Sequence, residues 1–191
     1  GNVLRLANAT LKELEAGGDM PELYVSGKKG TAYFRFLRRE MKQAYSTLGD
    51  NPKFVEIEKV AEEFMKGYVE GRITGLKIVY MRFLSAGQQK ASVMEVLPLS
   101  GIAAAEEAEE PGEGGKKMAV SYEFLPDAAS LLAELIPTTV KISVFQAFIE
   151  AAVSEQTARM VAMKAATDSA DKMGKKLTQA YNRARQSQIT G

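Results

Sequence analysis

Residues 145–190 read FQAFIEAAVSEQTARMVAMKAATDSADKMGKKLTQAYNRARQSQIT, and this stretch decides the fold of the chain. Ala, Met, Lys, Gln, Glu and Arg dominate it, and all of them are strong helix formers. No Pro follows Pro137, and Gly174 is the only Gly between Pro137 and the terminal Gly191. The composition therefore predicts one long helix from about Thr138 to Thr190, on the order of 75 Å in length.

A seven-residue repeat runs along this predicted helix, and we call its positions the seam. Alternating steps of four and three residues connect Ile149, Val153, Gln156, Met160, Met163, Thr167, Ala170, Gly174, Leu177, Tyr181, Ala184 and Gln188. This spacing is typical of one side of a coiled coil. Small and polar residues interrupt the seam, so we expect a partner helix to approach closely but to be held weakly. The Met160/Met163 pair fits packing better than metal binding, because Met is an adaptable packing residue.

The composition excludes several classes of site. The 191 residues include 25 Lys+Arg and 24 Asp+Glu, a balance that favours neither nucleic acid nor a membrane surface as a partner. There is no Cys and no His, which excludes disulfides, thiolate or imidazole metal sites and Cys/His nucleophiles. We also expect no signal peptide and no membrane span, because we find no apolar run near the required ~18 residues.

Upstream of the helix, short apolar strands alternate with amphipathic helices, a pattern typical of an α/β layer with a partly parallel sheet. The sequence predicts helices at residues 2–15, 31–38 (with Thr31 as N-cap) and 54–69. It predicts strands at 22–26, 41–46, 76–84 and 91–99, the last two forming a hairpin around residues 87–89.

The turn Gly27-Lys28-Lys29-Gly30 lies between a predicted strand and a predicted helix. Free N–H groups at such a helix start can bind phosphate. The turn matches neither the P-loop nor the dinucleotide-binding pattern, and short Gly motifs are weak signals. We therefore interpret it as a structural turn, with a nucleotide site as the alternative.

The chain divides into four segments by composition. Residues 1–100 form the α/β domain, and residues 101–118 form an acidic, Gly-rich stretch that we expect to be a mobile loop. Residues 119–125 form a last strand. Residues 126–191 form the long helix, which begins at Pro126 and is expected to be kinked or restarted near Pro137.

The end of the long helix is basic. After Asp171 there are no acidic residues, whereas five cations follow: Lys172, Lys175, Lys176, Arg183 and Arg185. Three interpretations remain open on composition alone: a favourable interaction with the helix dipole, a nucleic-acid surface, or polar contacts to a protein partner. We find no motif that indicates a catalytic site.

Residue pairs along the long helix resemble the C-terminal signature of the gamma subunit of F-type ATP synthases. They are Ser154-Glu155, Arg159-Met160, Ala162-Met163, Ala166-Thr167-Asp168, Ala170, Leu177, Tyr181-Asn182, Arg185-Gln186 and Ile189-Thr190. Upstream segments are similar to the gamma Rossmann-like domain. They are Tyr24-Val25, Gly27–Gly30, Tyr33-Phe34, Val79-Tyr80, Arg82–Ser85 and Leu97–Leu99.

The resemblance implies a fold, a set of partners and a role. The long helix would form half of an antiparallel coiled coil inside the alpha–beta hexamer, and the Rossmann-like domain would contact the epsilon subunit and the c-ring. The chain would be the rotating central stalk, peripheral on the cytoplasmic face of the bacterial inner membrane, with the matrix side of the mitochondrial inner membrane as the alternative. Catalysis would occur on beta, so this chain would have no catalytic, cofactor or metal site, no nucleic-acid partner and no segment inserted in the membrane.

The resemblance also assigns residues. Arg185, Gln186 and Thr190 correspond to contacts with the beta subunit that couple rotation to catalysis. Arg159, Met160 and Met163 lie in the coupling region, and Tyr122 lies near the epsilon contact.

Relative to that family, the chain lacks an N-terminal helix, a first strand and the last C-terminal turns. We therefore expect a fragment that can self-associate through its seam and its sheet edge. A structural coiled-coil protein with an α/β head and a nucleotide-binding α/β enzyme are the alternatives.

Overall fold

The computed structural model describes residues 1–45, 48, 52–99 and 128–191. Within these residues, three helices and four strands form a globular unit, the head, on which a fourth helix is carried. The elements are α1 Asn2–Ala16, β1 Tyr24–Ser26, α2 Lys28–Phe36, β2 Gln43–Tyr45, α3 Phe54–Val69, β3 Leu76–Ser85, β4 Gln88–Leu97 and α4 Ala128–Thr190. The predicted α/β class and the predicted long helix are both confirmed.

The described strands form two separate two-stranded sheets. β1 pairs with β2 in parallel, with Val25 opposite Ala44, which confirms the partly parallel prediction. β3 pairs with β4 antiparallel, with Val79 opposite Val93, so the predicted hairpin is also confirmed. The two pairs are separate within the described residues, because β1 and β3 share no hydrogen-bonded pairing. A cleft of about 550 Å³ lies between the two sheets. Residues of β1, β2, β3 and α4 contribute to its lining.

The main core of the head brings together α3, β4 and α4. Ile57, Val96 and Val140 lie at its centre and are at most 1% exposed. A second cluster packs α1, β1 and α2 around Leu11, Val25 and Phe34. α3 belongs to the main core because its apolar residues recur at helical spacing, as the sequence predicts.

Helix α2 begins earlier than predicted. It starts at Lys28 with Gly27 as N-cap, so the prediction of Thr31 as the capping residue is wrong. Gly27 has φ +94°, a left-handed conformation that glycine adopts without strain, and this turns the chain from strand into helix within one residue. The Thr31 hydroxyl instead donates to the Gly27 carbonyl at 3.0 Å, inside the first turn.

Helix α4 runs through Pro137 without interruption, so the predicted restart at this residue is wrong. Pro137 removes one backbone hydrogen bond from the helix. The helix is 63 residues long, and it continues on both sides of Pro137. The hydroxyls of Thr138 and Thr139 donate to carbonyls four residues back, at 3.1 and 3.0 Å. A bend at Pro137 stays a prediction.

Several predictions lie outside the described residues. They concern the acidic loop at residues 101–118, the strand at 119–125 with Tyr122, and Pro126 as the first residue of the long helix. The division of the chain into four segments stays a prediction as well.

Substitution of Ile57 tests the main core. Ile57→Ala removes a fully buried side chain, and we expect it to lower the free energy of unfolding by about 2–5 kcal/mol. Val55→Ala on the same helix is the control, because Val55 is 62% exposed and its loss should change stability by less than about 0.5 kcal/mol. Urea unfolding followed by circular dichroism measures both. Equal stabilities of the two variants would contradict the core described above.

Candidate functional site

Helix α4 has one face buried in the head. Val140, Val144, Ala147 and Ser154 are at most 2% exposed. At about 100° per residue these positions fall on one narrow stripe of the helix. They pack mainly against β3 and α3. The stripe ends at Ser154, and from Glu155 to Thr190 every residue except Thr157 is exposed.

The seam lies on the other side of α4. Its first positions, Ile149 and Val153, are 36% and 40% exposed, although the residues on either side of them are less exposed. Met160 and Met163 further along are 62% and 63% exposed. With ~100° per residue, the seam is rotated by roughly 180° from the face that packs on the head. The helix therefore attaches to the head by one face and presents the opposite face to solvent.

The predicted coupling region lies just beyond the junction with the head. Arg159 donates to Glu155 Oε1 at 3.0 Å and to Gln156 Oε1 at 3.2 Å, both on its own helix. Its side chain remains half exposed. Such a surface pair contributes little to stability, so the guanidinium is available for other contacts. Met160 and Met163 are exposed beside it.

The three residues assigned to the beta contact lie near the end of α4 and are all exposed. Gln186 and Thr190 share a face, because the Thr190 hydroxyl donates to the Gln186 carbonyl. Arg185 is about 100° away around the helix from Gln186. The structure thus places Gln186 and Thr190 on one face of α4 and Arg185 on a neighbouring face. The residue assigned to the epsilon contact, Tyr122, lies outside the described residues.

Sequence reasoning missed the polar contacts that join α4 to the head. Lys141 Nζ donates to Glu58 Oε1 at 2.8 Å and to Glu62 Oε1 at 2.6 Å, both on α3. The backbone N–H of Phe83 donates to Glu150 Oε2 at 3.3 Å, and Ser154 Oγ donates to the Met81 carbonyl at 3.2 Å. The signal in the sequence was weak, since each contact joins residues at least 67 positions apart.

By length and composition alone, the part of α4 from Ala133 to Thr190 could cross a membrane. We expected no stretch apolar enough to span a membrane, and this expectation is wrong for α4. Packing in the head explains part of this apolar character, because Val140, Val144 and Ala147 are buried there.

Both glycines of the Gly27–Gly30 turn have structural roles. The N–H of Gly27 donates to the Tyr45 carbonyl at 3.1 Å, which ties the turn to β2. A Cβ at Gly30 would meet Val25 Cγ1 at 2.8 Å, so only glycine allows α2 to pack this closely on β1. These contacts explain the turn without a bound phosphate.

Three tyrosines lie around the cleft between the sheets. Burial raises the pKa of Tyr24 to about 12, and its hydrogen bond to Glu22 adds to the effect. Burial and the nearby Glu63 raise the pKa of Tyr45, and burial together with Glu150 raises that of Tyr80. All three are neutral at physiological pH, so the cleft is an apolar surface with neutral hydroxyls and is suited to packing.

The fold and the exposed surface define an α/β head that carries one long, projecting helix. The family model described as ATP synthase matches residues 1–191 of the chain. The chain belongs to this family, and the resemblance found in the sequence is confirmed.

Its relatives include gamma chains of ATP synthase. The gamma chain of Rhodopirellula baltica is 41% identical over 192 residues, which are 100% of this chain and 64% of the relative. The gamma chain of Saccharopolyspora erythraea is 36% identical, with 99% of this chain and 64% of the relative covered. The chain thus spans a little under two thirds of the length of the curated relatives it matches.

Solved structures share the fold. The chain is similar to one from the Tetrahymena thermophila mitochondrial ATP synthase central stalk and c-ring, with a TM-score of 0.57 and 18% identity, over 87% of this chain and 70% of the other. Another belongs to the Euglena gracilis mitochondrial ATP synthase OSCP/F1/c-ring, with a TM-score of 0.52 and 18% identity, over 100% of this chain and 65% of the other.

Because the seam is exposed and apolar at its start, we expect the isolated chain to self-associate through it. Met160→Lys places a charge on the seam and should shift the chain towards monomer in sedimentation velocity. Val161→Lys is the matched control, because Val161 is the adjacent residue and is 50% exposed on a different face of α4. A chain that is monomeric before any substitution, or equal effects of both variants, would contradict this prediction.

The Lys141 contact predicts a dependence of stability on pH. The hydrogen bonds that Lys141 donates to Glu58 and, to a lesser extent, to Glu62 raise the pKa of Lys141 above its ordinary value of 10.5. A pKa that is higher in the folded state stabilises the fold below the unfolded value, and this contribution is lost as pH rises through the folded pKa. We therefore expect the stability difference between wild type and Lys141→Met to be constant near neutral pH and to shrink above 10.5.

Urea unfolding at a series of pH values measures this difference. Lys66→Met is the control, because Lys66 is 74% exposed and its Nζ lies 3.9 Å from Glu70 Oε1 in a loose surface pair. A difference for Lys141→Met that stays constant across the alkaline range, as for the control, would show that the contact contributes nothing.

Proposed function

We propose that this chain is the greater part of the gamma subunit of an F-type ATP synthase, the central shaft that rotates inside the catalytic hexamer. The observation that carries the proposal is the division of α4 into an anchored part up to Ser154 and an exposed part beyond it. The exposed part extends roughly 50 Å past the head, which suits a shaft and exceeds what a globular domain needs.

In this proposal the seam binds another helix of the same subunit as an antiparallel coiled coil. The paired helices sit inside the hexamer of alpha and beta subunits, and the head contacts the epsilon subunit and the c-ring. Ion flow turns the c-ring and the shaft together. The asymmetric shaft then forces each beta subunit in turn through states of different nucleotide affinity.

The assigned residues take roles that agree with their positions. Arg185, Gln186 and Thr190 contact a loop of beta near the tip of α4, where all three are exposed. Arg can form paired hydrogen bonds to a carboxylate, and Gln can bond to loop backbone. Arg159, Met160 and Met163 contact the hexamer closer to the head, and Tyr122 contacts epsilon.

The chain itself would be non-catalytic and would bind no cofactor, metal or nucleic acid. Nucleotide chemistry would occur on the beta subunits. The complex would place this chain peripherally on the cytoplasmic face of the bacterial inner membrane, without inserting it. The bacterial sources of the curated relatives support that location.

A self-associating coiled-coil scaffold is the second candidate, because the exposed seam would also allow two copies of the chain to pair. The two candidates differ in their partner. A shaft binds the alpha–beta hexamer, whereas a scaffold pairs only with itself.

Reconstitution tests the proposal. The chain is joined to the segments of the Rhodopirellula baltica gamma chain that it does not match, and is mixed with purified alpha and beta subunits. We expect a complex whose ATP hydrolysis depends on the added chain. A folded chain that forms no complex and supports no activity would exclude the shaft and leave the scaffold.

Substitution near the tip of α4 tests the coupling contact. Arg185→Ala removes a charged hydrogen-bonding group, and we expect coupled turnover to fall roughly three- to tenfold while the complex still assembles. Gln186→Ala should have a smaller effect, because its hydrogen bonds are neutral. ATP-driven proton pumping in reconstituted vesicles measures coupled turnover.

The control for this substitution is Arg183→Ala, which removes another exposed cation within one helical turn of Arg185 without touching an assigned residue. Wild-type pumping in both Arg185→Ala and Gln186→Ala would refute the assignment. An equal loss in Arg183→Ala would show that only the total positive charge of the tip matters.

A further inference from the structure

Two side chains of α4, one helical turn apart, bond to the backbone of β3. Ser154 Oγ donates to the Met81 carbonyl at 3.2 Å, and the Phe83 N–H donates to Glu150 Oε2 at 3.3 Å. In an antiparallel strand, residues two positions apart direct their backbone groups to the same edge. Met81 and Phe83 therefore share one edge of β3, and α4 lies along it.

The spacing of these two contacts matches between helix and strand. Residues 150 and 154 are separated by ~6 Å along a helix axis, and residues 81 and 83 by ~6.8 Å along a strand. The order is reversed, so α4 runs antiparallel to β3 here. A slip of α4 by one residue would rotate it by ~100° and break both bonds at once.

Ser154 departs from the behaviour of most other hydroxyls in the described part of α4. Six of them donate to carbonyls four residues back on their own helix, namely those of Thr138, Thr139, Thr167, Ser169, Thr178 and Thr190. Ser154 instead crosses to another element and is 2% exposed. A buried serine that only needed a hydrogen bond could satisfy it within the helix.

Glu150 is held in place for its contact. Gln146 Nε2 donates to Glu150 Oε1 at 3.1 Å, which leaves Oε2 directed at the Phe83 N–H. The neighbouring apolar contacts of Val140, Val144 and Ala147 are strong but non-directional. They select the face of α4 that meets the head, and the two directional hydrogen bonds restrict its rotation within that face.

We propose that Ser154 and Glu150 are positioning residues that set the rotation and the axial position of α4 on the head. This role rests on the proposed function, in which torque passes between the head and the helix. If α4 could turn on its apolar face, part of each rotational step of the head would not reach the far end of the helix. Directional bonds at this junction oppose that loss.

Distance measurements between two spin labels test the positioning role directly. The chain has no Cys, so Glu56→Cys on α3 and Lys164→Cys on α4 provide the only thiols for labelling. We expect Ser154→Ala to broaden or shift the distance distribution. Ser154→Thr should restore it, because it keeps the hydroxyl and its added methyl can enter the adjoining cleft.

Ser169→Ala is the matched control, since its hydroxyl donates only to Ala165 within the helix, at 2.8 Å. Glu150→Ala tests the second bond at a site that is only partly buried, and the Phe83 amide should then exchange up to about tenfold faster. Distributions for Ser154→Ala and Glu150→Ala that match the control would overturn the proposal. If Ser154→Ala does not fold, Glu150→Ala decides it.

Rotation against a viscous load, measured on single reconstituted complexes, separates this role from simple stability. We expect Ser154→Ala to hydrolyse more ATP per revolution than Ser154→Thr under load. The label distances are measured on the free chain, so they remain informative if no complex assembles. In that case the proposed function fails, and the label distances alone decide whether Ser154 and Glu150 position α4.

Discussion

The rest of the structure depends on the burial of one face of α4 against the head. Val140 and Val144 complete a core that also contains Ile57, Ala61 and Val96, so α4 is part of the head as well as an extension of it. The hydrophobic effect is proportional to the area removed from water and carries no preferred direction. It explains why α4 stays attached, and the hydrogen bonds of Lys141, Glu150 and Ser154 explain why it attaches in one orientation.

The two opposite stripes of α4 also explain its composition. A helix on the surface of a globular protein usually has one apolar face and one polar face. In α4 the head takes one apolar stripe, and the seam places a second on the other side. Apolar residues therefore occur around much of the helix near the junction, which is the pattern that resembles a membrane span by composition.

Local patterns made most elements predictable from the sequence. Helix α3 was predicted from its periodic apolar residues, and the β3–β4 hairpin from its apolar runs and the intervening Gly87. The start of α2 was missed because a glycine with positive φ leaves no side-chain signal for a cap. The separation into two sheets and the contacts of Ser154 were missed for a different reason. They depend on pairings between residues far apart in sequence, and a single sequence carries no record of them.

Contacts between residues far apart in sequence also decide which face of α4 is buried. This is why the sequence indicated the seam and not the buried stripe. Both series follow alternating steps of four and three residues, and they overlap between Ile149 and Ser154. Periodicity identifies that a face is apolar, but it does not say which of two apolar faces meets the head. Packing resolves the choice, because α3 and β3 cover only the stripe that contains Val140, Val144 and Ala147.

This arrangement separates two physical requirements along one helix. Between Lys141 and Ser154, directional bonds to α3 and β3 fix the helix on the head. Beyond Glu155, the hydrogen bonds found in the described part of the chain stay within α4, and the surface is exposed. The proposed role as a turning shaft requires a rigid attachment at one end. It also requires that the remaining length of α4 does not bind its neighbours strongly. Weak seam residues such as Gly174 and Ala184, which would be defects in a permanent coiled coil, satisfy the second requirement.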